Sequence, residues 1–177
     1  MFKMASLFSL LFLCIGLTPI ITLAQKPVVI SSAEITFSFV SKDVQGSIAE
    51  FSANTSLDFD HIERASLEGS VAVSSLKTGN FLRDWSLKGK KYFDADNYPK
   101  ITFKSTSVSG TGEAFTVKGM LTIKDISKSI TIDFKKEGNT LVGTTTLFSS
   151  DFNIDIKKER TDNKVIVTLQ FTLEASN

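Results

Sequence analysis

The sequence predicts an all-β domain of eight antiparallel strands, closed as a barrel or folded as a sandwich, with one short helical lid. Three observations carry this. Apolar and polar residues alternate with a period of two over most of the chain beyond residue 27. Clusters of Gly, Asn and Asp separate the alternating runs, as turns require. A single stretch, Phe81–Lys88, breaks the alternation. With almost no helix to cover them, the apolar strand faces must meet one another across a sandwich or a closed sheet.

The elements follow in chain order. Residues 1–24 contain Lys3 as their only charge and an apolar run from Leu7 to Leu17. Pro19 breaks the run, and Thr22-Leu23-Ala24 places small residues where a signal peptidase reads. This predicts a secretory signal peptide over 1–24, a mature domain over 25–177, and a periplasmic or secreted location. Ala5 to Ala24 is also about the ~20 residues that span a bilayer, but Pro19 and the Thr-Leu-Ala ending fit cleavage better. Cys14 is the only cysteine and lies within the apolar run. The mature chain is therefore expected to have no disulfide, no thiolate nucleophile and no cysteine metal site.

The first strand is expected at 28–40, where Ile35, Phe37 and Phe39 alternate with polar residues. The second is expected at 47–59, and the third at 65–75 with Leu67, Gly69, Val71 and Val73 on one face. Phe81–Lys88 reads as a short helix or irregular lid with Phe81, Leu82, Trp85 and Leu87 as its apolar contacts. A loop follows to Pro99, which stops any helix before the next strand. Further strands are expected at 100–108, 114–124, 128–136, 139–149 and 163–174. Twelve of the fifteen phenylalanines fall after the signal, so they can fill a barrel interior or line a pocket in it.

Charge and chemistry exclude several functions. Without Lys3, the domain has 19 basic and 19 acidic residues. That balance argues against nucleic acid, which needs a basic field. His61 is the only histidine and sits in Asp58-Phe59-Asp60-His61, which reads as a solvated turn. One histidine and no cysteine cannot complete a familiar metal site or nucleophile–base pair. No metal, cofactor or catalytic residue is therefore expected, and the chain reads as a non-enzyme. Arg83 and Lys88 flank Trp85 on the one non-strand element. At a barrel mouth, such a basic pair could hold an anionic head group while an apolar tail enters the barrel. A surface salt bridge from Arg83 to Asp84 or a nearby acid, with Trp85 as a packing lid, is the alternative.

Several segments together resemble the YceI-like family. They are Val44-Gln45-Gly46-Ser47-Ile48-Ala49-Glu50-Phe51, Arg83-Asp84, Leu87-Lys88 and Tyr92-Phe93-Asp94. Tyr98-Pro99-Lys100-Ile101-Thr102-Phe103-Lys104-Ser105 and Val117-Lys118-Gly119-Met120-Leu121-Thr122-Ile123-Lys124-Asp125-Ile126-Ser127-Lys128 complete the set. The resemblance implies a lipocalin-like antiparallel barrel, exported in bacteria, that holds a long isoprenoid or similar amphiphilic lipid, and it does not imply a reaction. Many members of the resembled family carry His where this chain has Ser86, and Phe where it has Tyr92. That departure bears on the polar end of the ligand, and less on the apolar tunnel.

On this reading the wall residues are Phe37, Phe39, Val71, Val73, Phe103, Leu121 and Ile123. Phe81, Trp85 and Leu87 form the lid, and Arg83 and Lys88 the polar end. The partner is a long-chain isoprenoid or fatty lipid, with a membrane as its transient source, and open edge strands leave room for a homodimer. The rival reading is an envelope binding module for a protein or glycan. It expects a filled, ligand-free barrel with Tyr92, Phe93 and Tyr98 as exposed contacts.

Overall fold

The computed structural model describes residues 28–175. The expected signal peptide and Cys14 lie outside the described residues. Nine strands form one continuous antiparallel sheet. They are β1 (Val28–Phe39), β2 (Val44–Ile48), β3 (Ser52–Ser56), β4 (Ser66–Ala72), β5 (Lys100–Gly110), β6 (Ala114–Ile123), β7 (Ile126–Glu137), β8 (Thr140–Phe148) and β9 (Lys164–Ala175). One α-helix, α1 (Phe81–Lys88), lies between β4 and β5. The order across the sheet is β2-β1-β9-β8-β7-β6-β5-β4-β3. The sheet curls into a lipocalin-like half-barrel, and Val28 bridges Leu57 where its two ends approach.

The all-β antiparallel architecture agrees with the alternation in the sequence, but the count is nine strands and not eight. The expected strand 47–59 is two strands that sit at opposite edges of the sheet. β2 pairs with β1 and β3 pairs with β4. Between them Glu50 adopts a left-handed φ of 54°, which ends straight pairing. The Ser75 hydroxyl receives a bond from Ala49 N–H at 2.7 Å and donates to Ala49 C=O at 3.0 Å, pinning this corner. One stretch of chain thus joins the two sheet edges. The third strand also ends early, at Ala72, because a 3₁₀ turn over Val73–Ser75 follows.

Antiparallel register stacks the interior in layers. Phe39 faces Val165, Phe37 faces Val167, Ile35 faces Leu169 and Ala33 faces Phe171. On the other side of β9, Leu147, Thr145, Gly143 and Leu141 continue the same four layers. The end that carries Ala33 and Leu141 is closed by rings in series. Phe51 stacks on Phe171 at 5.1 Å, Phe171 on Phe134 at 6.2 Å, and Phe134 on Phe115 at 5.3 Å. Such pairs add to the burial of their own area.

Three rings, Phe134 among them, lie against neighbouring glycines. Gly46 is paired with Phe37 and Gly143 with Phe134, while Gly119 lies diagonally beside Phe103. A Cβ on Gly143 would come within 2.8 Å of Phe134 Cδ1, and closer to Cε1. The missing side chain lets the ring lie along the wall and not across the lumen. Phe134 is buried between two other rings and cannot swing away. Gly143→Ala is therefore expected to cost about 1–3 kcal/mol through overpacking, measured as a shift in the urea midpoint without a change in slope.

The segment between β8 and β9 folds over the opposite end. Asn163 is fully buried. Its Oδ1 accepts from the N–H groups of Ile156 and Lys157, and its Nδ2 donates to the carbonyls of Lys157 and Glu159. Arg160 forks onto both oxygens of Asp151 at 2.7 Å and stacks its guanidinium 3.8 Å from the Phe148 ring centre. The Arg160 hydrogen bonds hold the Asp151 carboxyl below the usual aspartate range. A lowered carboxyl pKa contributes stability above its unfolded value, lost as pH falls through the folded value. Asp151→Asn is expected to lower stability at neutral pH and to do so less at acid pH, because the aspartate's contribution is lost as pH falls through its lowered folded-state value. Urea melts at neutral and acid pH check this.

Candidate ligand cavity

The layers enclose a cavity of about 570 Å³, inside the ~300–1,000 Å³ range of small-molecule sites. It runs from the ring-packed floor, where Phe171 and Phe134 line it, to a mouth bordered by Lys42, Arg83, Ser86 and Leu87. Chain direction explains the asymmetry. β1, β4, β6 and β8 all end at the mouth, so the segments 40–43, 73–99 and 149–163 are gathered there.

The wall is apolar because strand alternation points one face inward. Ile35, Phe37, Phe39, Val167, Leu121 and Ile123 all line the cavity. Thr145 is the polar residue in the middle of the β8 wall, and its hydroxyl donates to Thr131 C=O at 2.7 Å. That bond satisfies the hydroxyl inside the sheet and leaves its methyl as wall. At a water-sized share of ~30 Å³ per heavy atom, the space holds a chain of about twenty carbons.

The mouth has its own polar cluster. Thr78 is buried, and both its N–H (2.8 Å) and its hydroxyl donate to Asp84 Oδ1. Arg83 Nε donates to Thr78 Oγ1 at 2.7 Å, and its Nη2 to Thr78 C=O at 2.9 Å. Asn80 caps the helix by accepting from Arg83 N–H at 3.0 Å. These bonds fix the rotation of α1 about its axis. The expected Arg83–Asp84 salt bridge does not form, because Asp84 is turned onto Thr78. Among the described residues Arg83 has no ion-pair partner; its side-chain hydrogen bonds engage Nε and Nη2 and not Nη1, and the residue lines the cavity.

The structure gathers most of the sequence-predicted site. Phe37, Phe39, Val71, Phe103, Leu121, Ile123, Arg83 and Leu87 all line the cavity. Val73, Phe81, Trp85 and Lys88 do not, and their placement corrects the expectation. Val73 is fully buried, but in the 3₁₀ turn, with its N–H bonded to Pro99 C=O at 2.9 Å. Phe81 and Trp85 are 80% and 73% exposed, so they are not a lid packed on the barrel. At about 100° per residue, the setting that turns Arg83 and Leu87 inward turns Phe81 and Trp85 outward. Lys88 falls about 20° from Phe81 around the helix, on the side away from Arg83 and Leu87.

Sequence reasoning missed part of the wall. Val165, Val167 and Leu169 alternate clearly, but only the pairing of β9 with β1 sets them opposite Phe39, Phe37 and Ile35. Phe152, Ile154 and Ile156 also line the cavity. Their alternation with Asn153 and Asp155 was the available signal, yet they lie between strands and not in one. Tyr92 and Phe93, expected as exposed contacts of a binding module, face the cavity instead. The filled interior of that rival reading is not observed. His61 lies in a turn with Nδ1 at 3.2 Å from Asp58 Oδ2 and is exposed. The backbone N–H groups of His61 and Asp60 and the His61 ring hydrogen-bond the Asp58 carboxylate. Although partial desolvation opposes them, together they hold it below the usual range.

The YceI-like domain model matches residues 28–175, which is the whole described sheet. A UPF0312 protein of Photorhabdus laumondii is 28% identical over 93 residues, covering 52% of this chain and 48% of that protein. A UPF0312 protein of Yersinia pestis matches to the same extent. The chain thus spans about half the length of these curated relatives in the matched region. Among solved structures, Burkholderia cenocepacia BcnA superposes with a TM-score of 0.70 at 22% identity, over 81% of this chain and 96% of that one. A polyisoprenoid binding domain from Saccharophagus degradans, implicated in plant cell wall breakdown, superposes with a TM-score of 0.58 at 12% identity. It covers 85% of this chain and 98% of that one. At these identities the likeness is one of fold.

The mouth cluster makes a direct prediction. Asp84→Ala leaves the buried Thr78 N–H and hydroxyl without their acceptor, at a cost of about 1–3 kcal/mol. It is also expected to loosen α1, so the anisotropy of the single tryptophan, Trp85, should fall. Chemical denaturation and fluorescence anisotropy measure the two effects.

Proposed function

Because the chain belongs to the YceI-like family, we propose that it binds a long isoprenoid or similar amphiphilic lipid inside its barrel, as an exported carrier or sequestering protein and not as an enzyme. The observation that carries this reading is the apolar cavity of about 570 Å³, closed at one end by stacked phenylalanines and open at the other beside Arg83. The likeness in fold to a polyisoprenoid binding domain supports it. So do the features of residues 1–24, which read as an export signal.

The energetics suit a carrier. Burial of hydrocarbon yields about 0.8 kcal/mol per CH₂, so a dozen groups give ~10 kcal/mol before association costs are subtracted. The tail needs no specific polar partner, and the wall supplies almost none. At the mouth, the free Nη1 of Arg83 suits an anionic or strongly accepting head group. Ser86 contributes a small neutral hydroxyl beside it. Lys88, turned away from the cavity, has no part in this head-group contact.

Protein purified from its own host is expected to release one hydrophobic chain per molecule, seen by native mass spectrometry and by organic extraction. Val167→Trp fills the middle layer opposite Phe37. It is expected to fold and to lose at least about tenfold in lipid affinity. Host protein that is ligand-free and takes up no isoprenoid or fatty lipid in vitro would sink the carrier reading.

A further inference from the structure

The outward face of α1 has no role in the cavity, yet it is the most exposed apolar surface among the described residues. Phe81, Leu82 and Trp85 are 80%, 74% and 73% exposed, while the next, Val40, is 47% exposed. Helical geometry puts the three within an arc of about 100°, on the side opposite Arg83 and Leu87. They therefore stand on the mouth of the barrel and face away from it. Val40 lies at the same end, in the turn that follows β1.

The Thr78, Asp84 and Arg83 bonds hold α1 in this setting, so the exposure is built in and not a consequence of a loose element. Soluble surfaces rarely cluster large apolar side chains this way without a partner. The surrounding charge identifies the partner. Lys88 shares the helix with this face, Lys90 and Lys91 follow it directly in the chain and Lys42 stands at the mouth, and among the described residues none of the four forms an ion pair. Two of the nearby acids are engaged, since Asp84 accepts from Thr78 and Asp94 accepts from Asn97 Nδ2 at 2.9 and 3.1 Å. Asp43 and Asp96 remain at the edges. Phe, Leu and Trp on one face, with lysines near them, form the pattern of a helix that lies in a membrane interface. Trp suits the head-group level in particular. A second copy of the chain is a poorer fit. At ~150–250 Å² per aromatic ring, the three side chains bury about 400 Å², half of the ~800 Å² per partner in a stable interface.

We propose that α1 docks the barrel mouth on an anionic lipid surface, with Phe81, Leu82 and Trp85 inserted and the neighbouring lysines against the head groups. This extends the carrier reading by giving the lipid a dry route between bilayer and cavity. It rests on surface residues alone, so the two readings fail separately.

Trp85 is the only tryptophan, so its emission reports the contact directly. The full-length mature chain is mixed with vesicles of phosphatidylglycerol and phosphatidylcholine, and with vesicles of phosphatidylcholine only. Trp85 emission is expected to shift to the blue on the anionic vesicles and to be quenched by brominated acyl chains. The protein should co-sediment with them, and less so as salt screens the lysines. Phe81→Ser with Leu82→Ser keeps the reporter and touches no buried contact. Its melting temperature should be unchanged and its vesicle affinity about tenfold lower or more. Val167→Trp, whose own tryptophan lies in the cavity, should co-sediment as the parent does even when it binds no lipid inside. An unshifted Trp85 and no co-sedimentation would overturn the proposal, as would equal binding to both vesicle types. A blue shift without vesicles, accompanied by a doubled mass in sedimentation, would overturn it in favour of a second copy.

Discussion

The fit of phenylalanine rings against backbone that carries no side chain is the constraint on which the rest of this barrel depends. A small half-barrel lined by large aromatics would ordinarily fill itself. Here Gly46, Gly119 and Gly143 each leave a gap in the wall beside Phe37, Phe103 and Phe134. The rings occupy those gaps and lie along the sheet. At the floor, Phe134 also stacks in series with Phe115, Phe171 and Phe51 to form a plug. Aromatic area is therefore spent on the wall and the floor, and the lumen between them stays open.

The mouth depends on a second local arrangement. Asp84 and Arg83 grip opposite sides of Thr78 and so fix which way α1 faces. The same three residues do three things. They satisfy a buried threonine, they place a guanidinium at the entrance, and they turn an apolar helix face to the outside. The cavity, the proposed head-group contact and the proposed docking face are linked through this cluster, although each is made of different side chains.

Much of this was legible in the sequence. Period-two alternation marks β5 to β9 almost to the residue, because one wet face and one dry face leave an unambiguous pattern. Phe37, Phe39, Phe103, Leu121 and Ile123 were readable as wall from the same pattern. The split of the 47–59 segment was not readable, because Ser47 to Phe59 keeps a strand-like composition through the corner at Glu50. Nor was the outward turn of Phe81 and Trp85. An apolar residue beside a barrel reads as a lid unless hydrogen bonds elsewhere set the helix otherwise.

The sequence by itself determined the class of structure: antiparallel strands, one apolar face and a single short helix. It did so because alternation and turn chemistry are local and need no knowledge of distant partners. The tertiary structure decided whether the apolar faces fill the interior or enclose a space, since that depends on which glycine meets which ring across strands. It decided, too, that Arg83 faces the cavity and Trp85 faces away, because the rotation of α1 is set by Thr78, which lies before the helix, and by the bonds that threonine can make.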